Sequence, residues 1–211
     1  MATVKKSGSA TTTGGKAKSS ASAPTKSSSK AKPGAAKGAS AKMPARKPAA
    51  AAAIEAVDLA GRRAPAFTLP DQDGAPVSLG SLTEKGDLVL YFYPKDMTPG
   101  CTVEACCFRD EIGKIHALGA QVVGISADLA SLHRRFIDKH GLNFPLLSDP
   151  ENRTTAAYGV YKQKSLYGRE YMGIERTTFI IGRDGVVIKV FPKVKVNGHA
   201  EEVIAALENR A

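Results

Sequence analysis

Tryptophan is absent from this chain of 211 residues, and cysteine is scarce: Cys101, Cys106 and Cys107 are the only three, all within seven residues. An odd, clustered set excludes the disulfide framework of a small secreted domain. It suits a reducing compartment, the cytoplasm if the source is bacterial, or the nucleus or an organelle if it is eukaryotic. No apolar run is long enough to cross a bilayer, and the N-terminus lacks the apolar core of a secretory signal, so no membrane partner is expected. The cysteines form a single Cys-x4-Cys spacing, and His116, His133, His140 and His199 follow no ligand pattern, which argues against a metal site. Cys-x-x-Cys is also missing, which argues against a dithiol reductase.

Acidic residues are missing from the first quarter of the chain. Residues 1–53 hold eleven of the thirty Lys and Arg and none of the twenty Asp and Glu, so nineteen bases face twenty acids in the remainder. The whole formal excess of +10 therefore belongs to this segment. It is rich in Ala, Ser, Lys, Thr, Gly and Pro and has no aromatic residue. Such a composition buries too little apolar surface to offset ordering entropy, so residues 1–53 are expected to be a disordered tail and residues 54–211 one folded domain. A short helix could begin within residues 49–54. The tail's lysines would suit non-specific binding to nucleic-acid phosphates; a solvated linker and a cleaved transit peptide are the alternatives.

The punctuation changes after Ile54. Residues 66–69 and 76–79 flank Asp71-Gln72-Asp73-Gly74 and predict a hairpin with an Asp-Gly turn. Leu88–Tyr93 is a continuous apolar run, as expected of a central strand covered on both faces. A helix is expected from about Cys101 to Leu118, because Cys101, Ala105, Phe108, Ile112 and Ile115 make one stripe; Gly119 ends it. A strand over 121–126, a helix over 129–140 closed by Gly141, an extended piece at 144–147 and a brief helix near 153–158 follow. A hairpin of 177–181 and 186–191 turns around Arg183-Asp184-Gly185, and a last helix starts at Asn197 or Gly198. This order predicts an α/β, thioredoxin-like fold: a central mixed sheet flanked by helices, with an N-terminal hairpin added.

Chemistry concentrates where the apolar strand feeds Pro94 and then Thr98-Pro99-Gly100-Cys101. A cysteine at the first turn of a helix meets unpaired N–H groups and the positive end of the helix dipole, both of which favour thiolate. A thiol near the reference pKa of ~8.5 is only about a tenth ionised at neutral pH, whereas one near 6 is almost fully a nucleophile. The N–H groups of Gly100 and Cys101 can receive developing negative charge, and Gly100 has no Cβ to obstruct a substrate. Thr98 could donate its hydroxyl to a substrate or serve only as a helix N-cap. Arg176 is a permanent cation that could act on the sulfur, or a surface partner of Glu175. Pro94 could fix the loop and shield the sulfur or merely terminate the strand. Glu104 could orient Arg176 or be an exposed first-turn acid.

Pro94, Thr98 and Cys101 fit Pro-x-x-x-Thr-x-x-Cys, and with Arg176 far downstream this resembles the peroxiredoxin active site. The stretch Tyr91 to Cys106, read as Tyr-Phe-Tyr-Pro-Lys-Asp-Met-Thr-Pro-Gly-Cys-Thr-Val-Glu-Ala-Cys, is similar to the bacterioferritin comigratory protein or peroxiredoxin Q branch. The resemblance, from about Val57 to Glu208, implies a thiol peroxidase acting on hydrogen peroxide and organic hydroperoxides. Cys101 would be the peroxidatic cysteine, Cys106 the resolving cysteine, thioredoxin or a similar dithiol the reductant, and no cofactor would be needed. A monomer is expected. Helix geometry adds a condition: residues i and i+5 have Cα atoms ~8.5 Å apart and point ~140° away from each other. A disulfide needs Cα atoms within about 7 Å, so the first turns of the helix must unwind in every cycle. Cys107, at ~10 Å, is no better placed by geometry. A redox sensor tethered to nucleic acid by its tail is the competing function; a sensor oxidises once, whereas an enzyme cycles.

Overall fold

The strand Asp87–Phe92 (β3), apolar after its first residue, forms the middle of the main sheet in the computed structural model, which describes residues 55–210 except Tyr167. The expected tail and the expected helix start at 49–54 lie outside the described residues. Before β3 come a short 3-10 helix, Ala56–Leu59, an antiparallel hairpin of Thr68–Pro70 (β1) with Pro76–Ser78 (β2), and a five-residue helix, Leu79–Thr83 (α1). The Asp-Gly turn forms as the sequence predicts. The Asp71 carboxylate accepts from the N–H groups of Asp73 and Ala75 at 2.8 and 2.9 Å, and Gly74 takes the positive φ of 82° that the turn requires.

The chain then runs through Pro99–Ala117 (α2), Ala120–Ser126 (β4), Ala130–His140 (α3), Leu146–Ser148 (β5) and Arg153–Ala157 (α4). It continues through Tyr161–Leu166 (β6), Arg169–Ile174 (β7), Thr177–Ile181 (β8), Val187–Phe191 (β9) and His199–Glu208 (α5). The main sheet has the order β5-β4-β3-β8-β9; β3, β4 and β5 are parallel, while β8 is antiparallel to both β3 and β9. This is the mixed, helix-flanked sheet of a thioredoxin-like fold, as the order of elements predicts.

The alternation along β3 divides the core. Leu88, Leu90 and Phe92 join Tyr158, Phe179, Ile181 and Val187 on one face. Val89, Tyr91 and Tyr93 join Cys101, Ala105, Phe108 and Ile115 of α2, Phe136 of α3 and Val203 and Leu207 of α5 on the other. Both faces of β3 are covered, which is why its sequence reads as continuous rather than alternating. The predicted stripe on α2 is therefore the face that seats the helix, and Cys101 is its first member. Sequence reading missed the β6–β7 hairpin. Its alternation has no apolar side to detect: Arg169, Glu170, Tyr171 and Met172 are all exposed.

Candidate active site

Where β3 ends, the chain makes a six-residue connection to α2, whose backbone N-cap is Thr98 and whose first residue is Pro99. Proline is favoured there because its missing N–H would have had no helical partner. The first backbone bond of the helix runs from Thr102 N–H to the Thr98 carbonyl at 2.9 Å, and the N–H groups of Gly100 and Cys101 have no partner among the described residues. They stand at the positive end of a nineteen-residue helix. Cys101 itself is buried, with 2% of its surface exposed.

Arg176, in the link between β7 and β8, reaches this sulfur. Its Nη2 lies 3.2 Å from Cys101 Sγ, and its Nη1 donates to Glu104 Oε2. Glu175 does not hold it; that carboxylate pairs with Lys162 Nζ at 3.0 Å. The guanidinium thus bridges sulfur and carboxylate one helical turn apart. Burial alone would favour a neutral Arg176, but the opposed Glu104 and Cys101 outweigh it and hold the cation. Lys164 of β6, whose Nζ donates to the Ile174 carbonyl at 2.6 Å, is held below the usual lysine range by burial, although Glu175 pulls the other way.

Glu104 resolves one of the two alternatives the sequence left open: it is buried, not exposed. Burial raises its carboxyl to about 7, against the pull of Arg176, and its Oε1 has no hydrogen-bond partner. Tyr91 Oη, close enough to feel Glu104 and Cys101, is likewise buried and unpartnered. Glu104 therefore changes charge close to neutrality. Ionised, it neutralises Arg176; protonated, it leaves the cation's field to the sulfur. Glu104→Gln should keep the contact with Arg176 and accelerate attack by the Cys101 sulfur on an oxidant above pH 7 by about threefold to tenfold, removing a pH step near 7. Arg176→Ala should slow the same step by roughly a hundredfold. Stopped-flow oxidation across pH checks both, and equal slowing by the two variants would contradict the opposition.

The remaining predicted residues fall unequally. Thr98 is the backbone N-cap, but its side chain does not cap: Oγ1 donates to the Lys95 carbonyl at 3.0 Å. In the described state the hydroxyl thus bonds back to the loop and not to the helix start. An added Cβ at Gly100 would stand 3.5 Å from Arg176 Nη2, in the opening before the guanidinium. Pro94 is itself exposed on the loop that follows β3. Cys106 and Cys107 are both half-buried free thiols on α2, and Cys107 packs against the core. Partial burial, then the nearby Glu201 and Asp110, push the Cys107 thiol up.

Residues 60–190 match the model of the AhpC/TSA family. A putative peroxiredoxin of the Bcp type from Coxiella burnetii is 50% identical over 147 residues, which is 70% of this chain and 97% of that protein. Peroxiredoxin Bcp of Bacillus subtilis is 46% identical over 149 residues, 71% of this chain and 94% of the relative. Among solved structures, the bacterioferritin comigratory protein of Xanthomonas campestris, described for its alkyl peroxide reduction, superposes with a TM-score of 0.65 at 39% identity. The match covers 68% of this chain and 91% of that one.

Proposed function

The chain belongs to the AhpC/TSA family, in its bacterioferritin comigratory protein or peroxiredoxin Q branch, and on that premise we propose how its residues divide the work of a thiol-dependent peroxidase. Cys101 is the nucleophile. Its thiolate attacks one oxygen of the peroxide, the O–O bond breaks, and the other oxygen leaves as water or alcohol after taking a proton. Hydrogen peroxide and organic hydroperoxides are both substrates. The N–H groups of Gly100 and Cys101 and the Arg176 guanidinium receive the charge that develops on the oxygens, and Thr98 accepts the peroxide's O–H. The observation that carries this assignment is the 3.2 Å approach of Arg176 Nη2 to Cys101 Sγ at a helix start with unpaired N–H groups.

Cys101 is left as a sulfenic acid, the reversible step of cysteine oxidation. The Cys106 thiolate attacks its sulfur and expels hydroxide, which leaves as water after taking a proton, giving an intramolecular disulfide that thioredoxin or a similar dithiol reduces. Both cysteines lie within the unbroken helix α2 in the described state, so that helix must open before they can meet. The protein works as a monomer in the cytoplasm; among the described residues no helix is long and apolar enough to cross a membrane. An assay coupling peroxide loss to NADPH oxidation through thioredoxin and its reductase tests the cycle. Many turnovers per protein are expected; a single equivalent consumed would favour the redox-sensor reading.

The tail yields a separate prediction. Eleven bases with no acid and no aromatic residue should hold duplex DNA without reading its sequence. Gel shifts should appear at low salt and vanish as salt rises, each neutralised phosphate adding roughly 0.7–0.9 to the log–log slope. Replacing the ten tail lysines by glutamine should abolish the shift and leave peroxidase rates within about twofold, because the site lies wholly in the folded domain. No shift at low salt would leave the segment a solvated extension.

A further inference from the structure

The loop that carries the nucleophile is tied down at one buried residue outside the site. Asp96 is 5% exposed, although Pro94, Lys95 and Met97 around it are exposed. Its Oδ1 accepts from Tyr93 Oη at 2.7 Å, and its Oδ2 lies 2.8 Å from Nδ1 of His133, a fully buried residue of α3. The other ring nitrogen, Nε2, stands 3.2 Å from the Leu147 carbonyl of β5. The Asp96 N–H donates to Asp128 Oδ2 at 2.7 Å, in the turn between β4 and α3. Asp128 is held in turn by the Ser126 hydroxyl at 3.1 Å.

An acceptor faces each nitrogen of His133, the Asp96 carboxylate at Nδ1 and the Leu147 carbonyl at Nε2. The contact is sealed from water, with the His133 and Asp96 side chains 0% and 3% exposed, where a hydrogen bond is worth more than at the surface. Immediately beyond it the backbone loosens. Met97 takes a φ of 59°, a left-handed conformation that a long unbranched side chain rarely adopts, and is 40% exposed. Among the described residues, the only hydrogen bonds from Met97 to Cys101 that reach beyond α2 itself are Thr98 to the neighbouring Lys95 and Arg176 to the sulfur.

We infer that Asp96 and His133 are positioning residues: their buried contact is the fixed end of the segment that unwinds, and it holds Cys101 in its attacking position at the expense of the disulfide step. The inference rests on the proposed Cys101–Cys106 chemistry. With the anchor in place, the helix start and its unpaired N–H groups are registered against Arg176. Opening must then occur between Met97 and the buried Ala105–Phe108 turn. Without the anchor, the same segment samples open conformations more often. Peroxide attack slows while resolution accelerates. A residue that only stabilised the fold would not drive these two rates in opposite directions.

Single-turnover stopped-flow on the full chain separates them, following sulfenic acid formation and then disulfide closure. His133→Leu and Asp96→Ala cut the contact from its two sides; the first leaves Asp96 bonded to Tyr93 and is the variant better suited to fold. Each should slow attack about tenfold and speed closure about threefold or more, and so lower sensitivity to over-oxidation by excess peroxide. Asp96→Asn should restore both rates to within about threefold, because its amide can donate to Nδ1 while its oxygen still accepts from Tyr93. Val187→Ala, a cavity on the opposite face of the sheet, should lower thermal stability and leave both rates unchanged. The inference is overturned if both rates fall together, if neither moves, or if Val187→Ala gives the same split. Failure of the unaltered protein to close a Cys101–Cys106 disulfide would remove the resolution chemistry, and this inference with it.

Discussion

Replacing Cys101 by serine is expected to abolish peroxide turnover, with a loss of three orders of magnitude or more, on the order of a removed nucleophile. A serine hydroxyl is not ionised at neutral pH, and its oxygen is a poor nucleophile toward an O–O bond. Arg176 and the free N–H groups of the helix start would remain, but they act on charge that only the sulfur can generate. Serine also keeps the size and burial of the side chain, which seats the first turn of α2 against Val89 and Tyr91. The variant should therefore melt within a few degrees of the parent. A Cys101→Ser protein that kept most of its activity would remove the assignment entirely.

Replacing Cys106 by serine should separate the two halves of the cycle. The first peroxide should be consumed at the parental rate, because Cys106 makes none of the hydrogen bonds that join Arg176 to Cys101 and Glu104. Steady-state turnover with thioredoxin should then fall by about a hundredfold, since resolution loses a thiol held on the same helix and must await one from solution. Sulfenic acid should accumulate and pass on to sulfinic acid as peroxide is raised. Cys107 is a weak substitute, because burial and the acids near it keep its thiol protonated at neutral pH. Full activity in Cys106→Ser that disappears in the double variant lacking both thiols would assign resolution to Cys107. Quench-flow mass spectrometry gives the sulfenic and sulfinic fractions directly.

Much of the site can be read from the sequence because its parts are local. Strand, proline, turn and cysteine occupy consecutive positions, and each has a backbone reason: an apolar run covered on two faces, a helix start with Pro99 in its first position, unpaired N–H groups. Arg176 stands out through the resemblance to peroxiredoxins and through its place before an apolar strand. What sequence reading lacked were contacts between distant residues. Glu104 reads equally as a partner that orients Arg176 and as a solvent-facing acid in a first turn, and only the contact with Arg176, 72 residues away, decides between them. Its i+3 spacing from Cys101, on the same helix face, was the available signal. His133 and Asp96 are separated by 37 residues; His133 belongs to no motif, and Asp96 lies in the quoted stretch with nothing in the sequence to give it a partner. The Thr98 hydroxyl turned away because the Lys95 carbonyl, three residues before it, lay within reach. The β6–β7 hairpin was hidden for the opposite reason, having no buried face to impose a pattern.

The central claim is that Cys101 attacks peroxide and then closes on Cys106. It is tested most directly by treating the reduced protein with one equivalent of hydrogen peroxide, blocking free thiols, and mapping the unreduced peptides. Trypsin leaves all three cysteines in one peptide, Asp96 to Arg109, whereas cleavage after Glu104 separates Cys101 from Cys106 and Cys107. The account predicts that the two halves stay joined through Cys101, that fragmentation places the partner at Cys106, and that the blocking reagent is found on Cys107 alone. Cys101 recovered with the blocking reagent attached after peroxide has been consumed would contradict it.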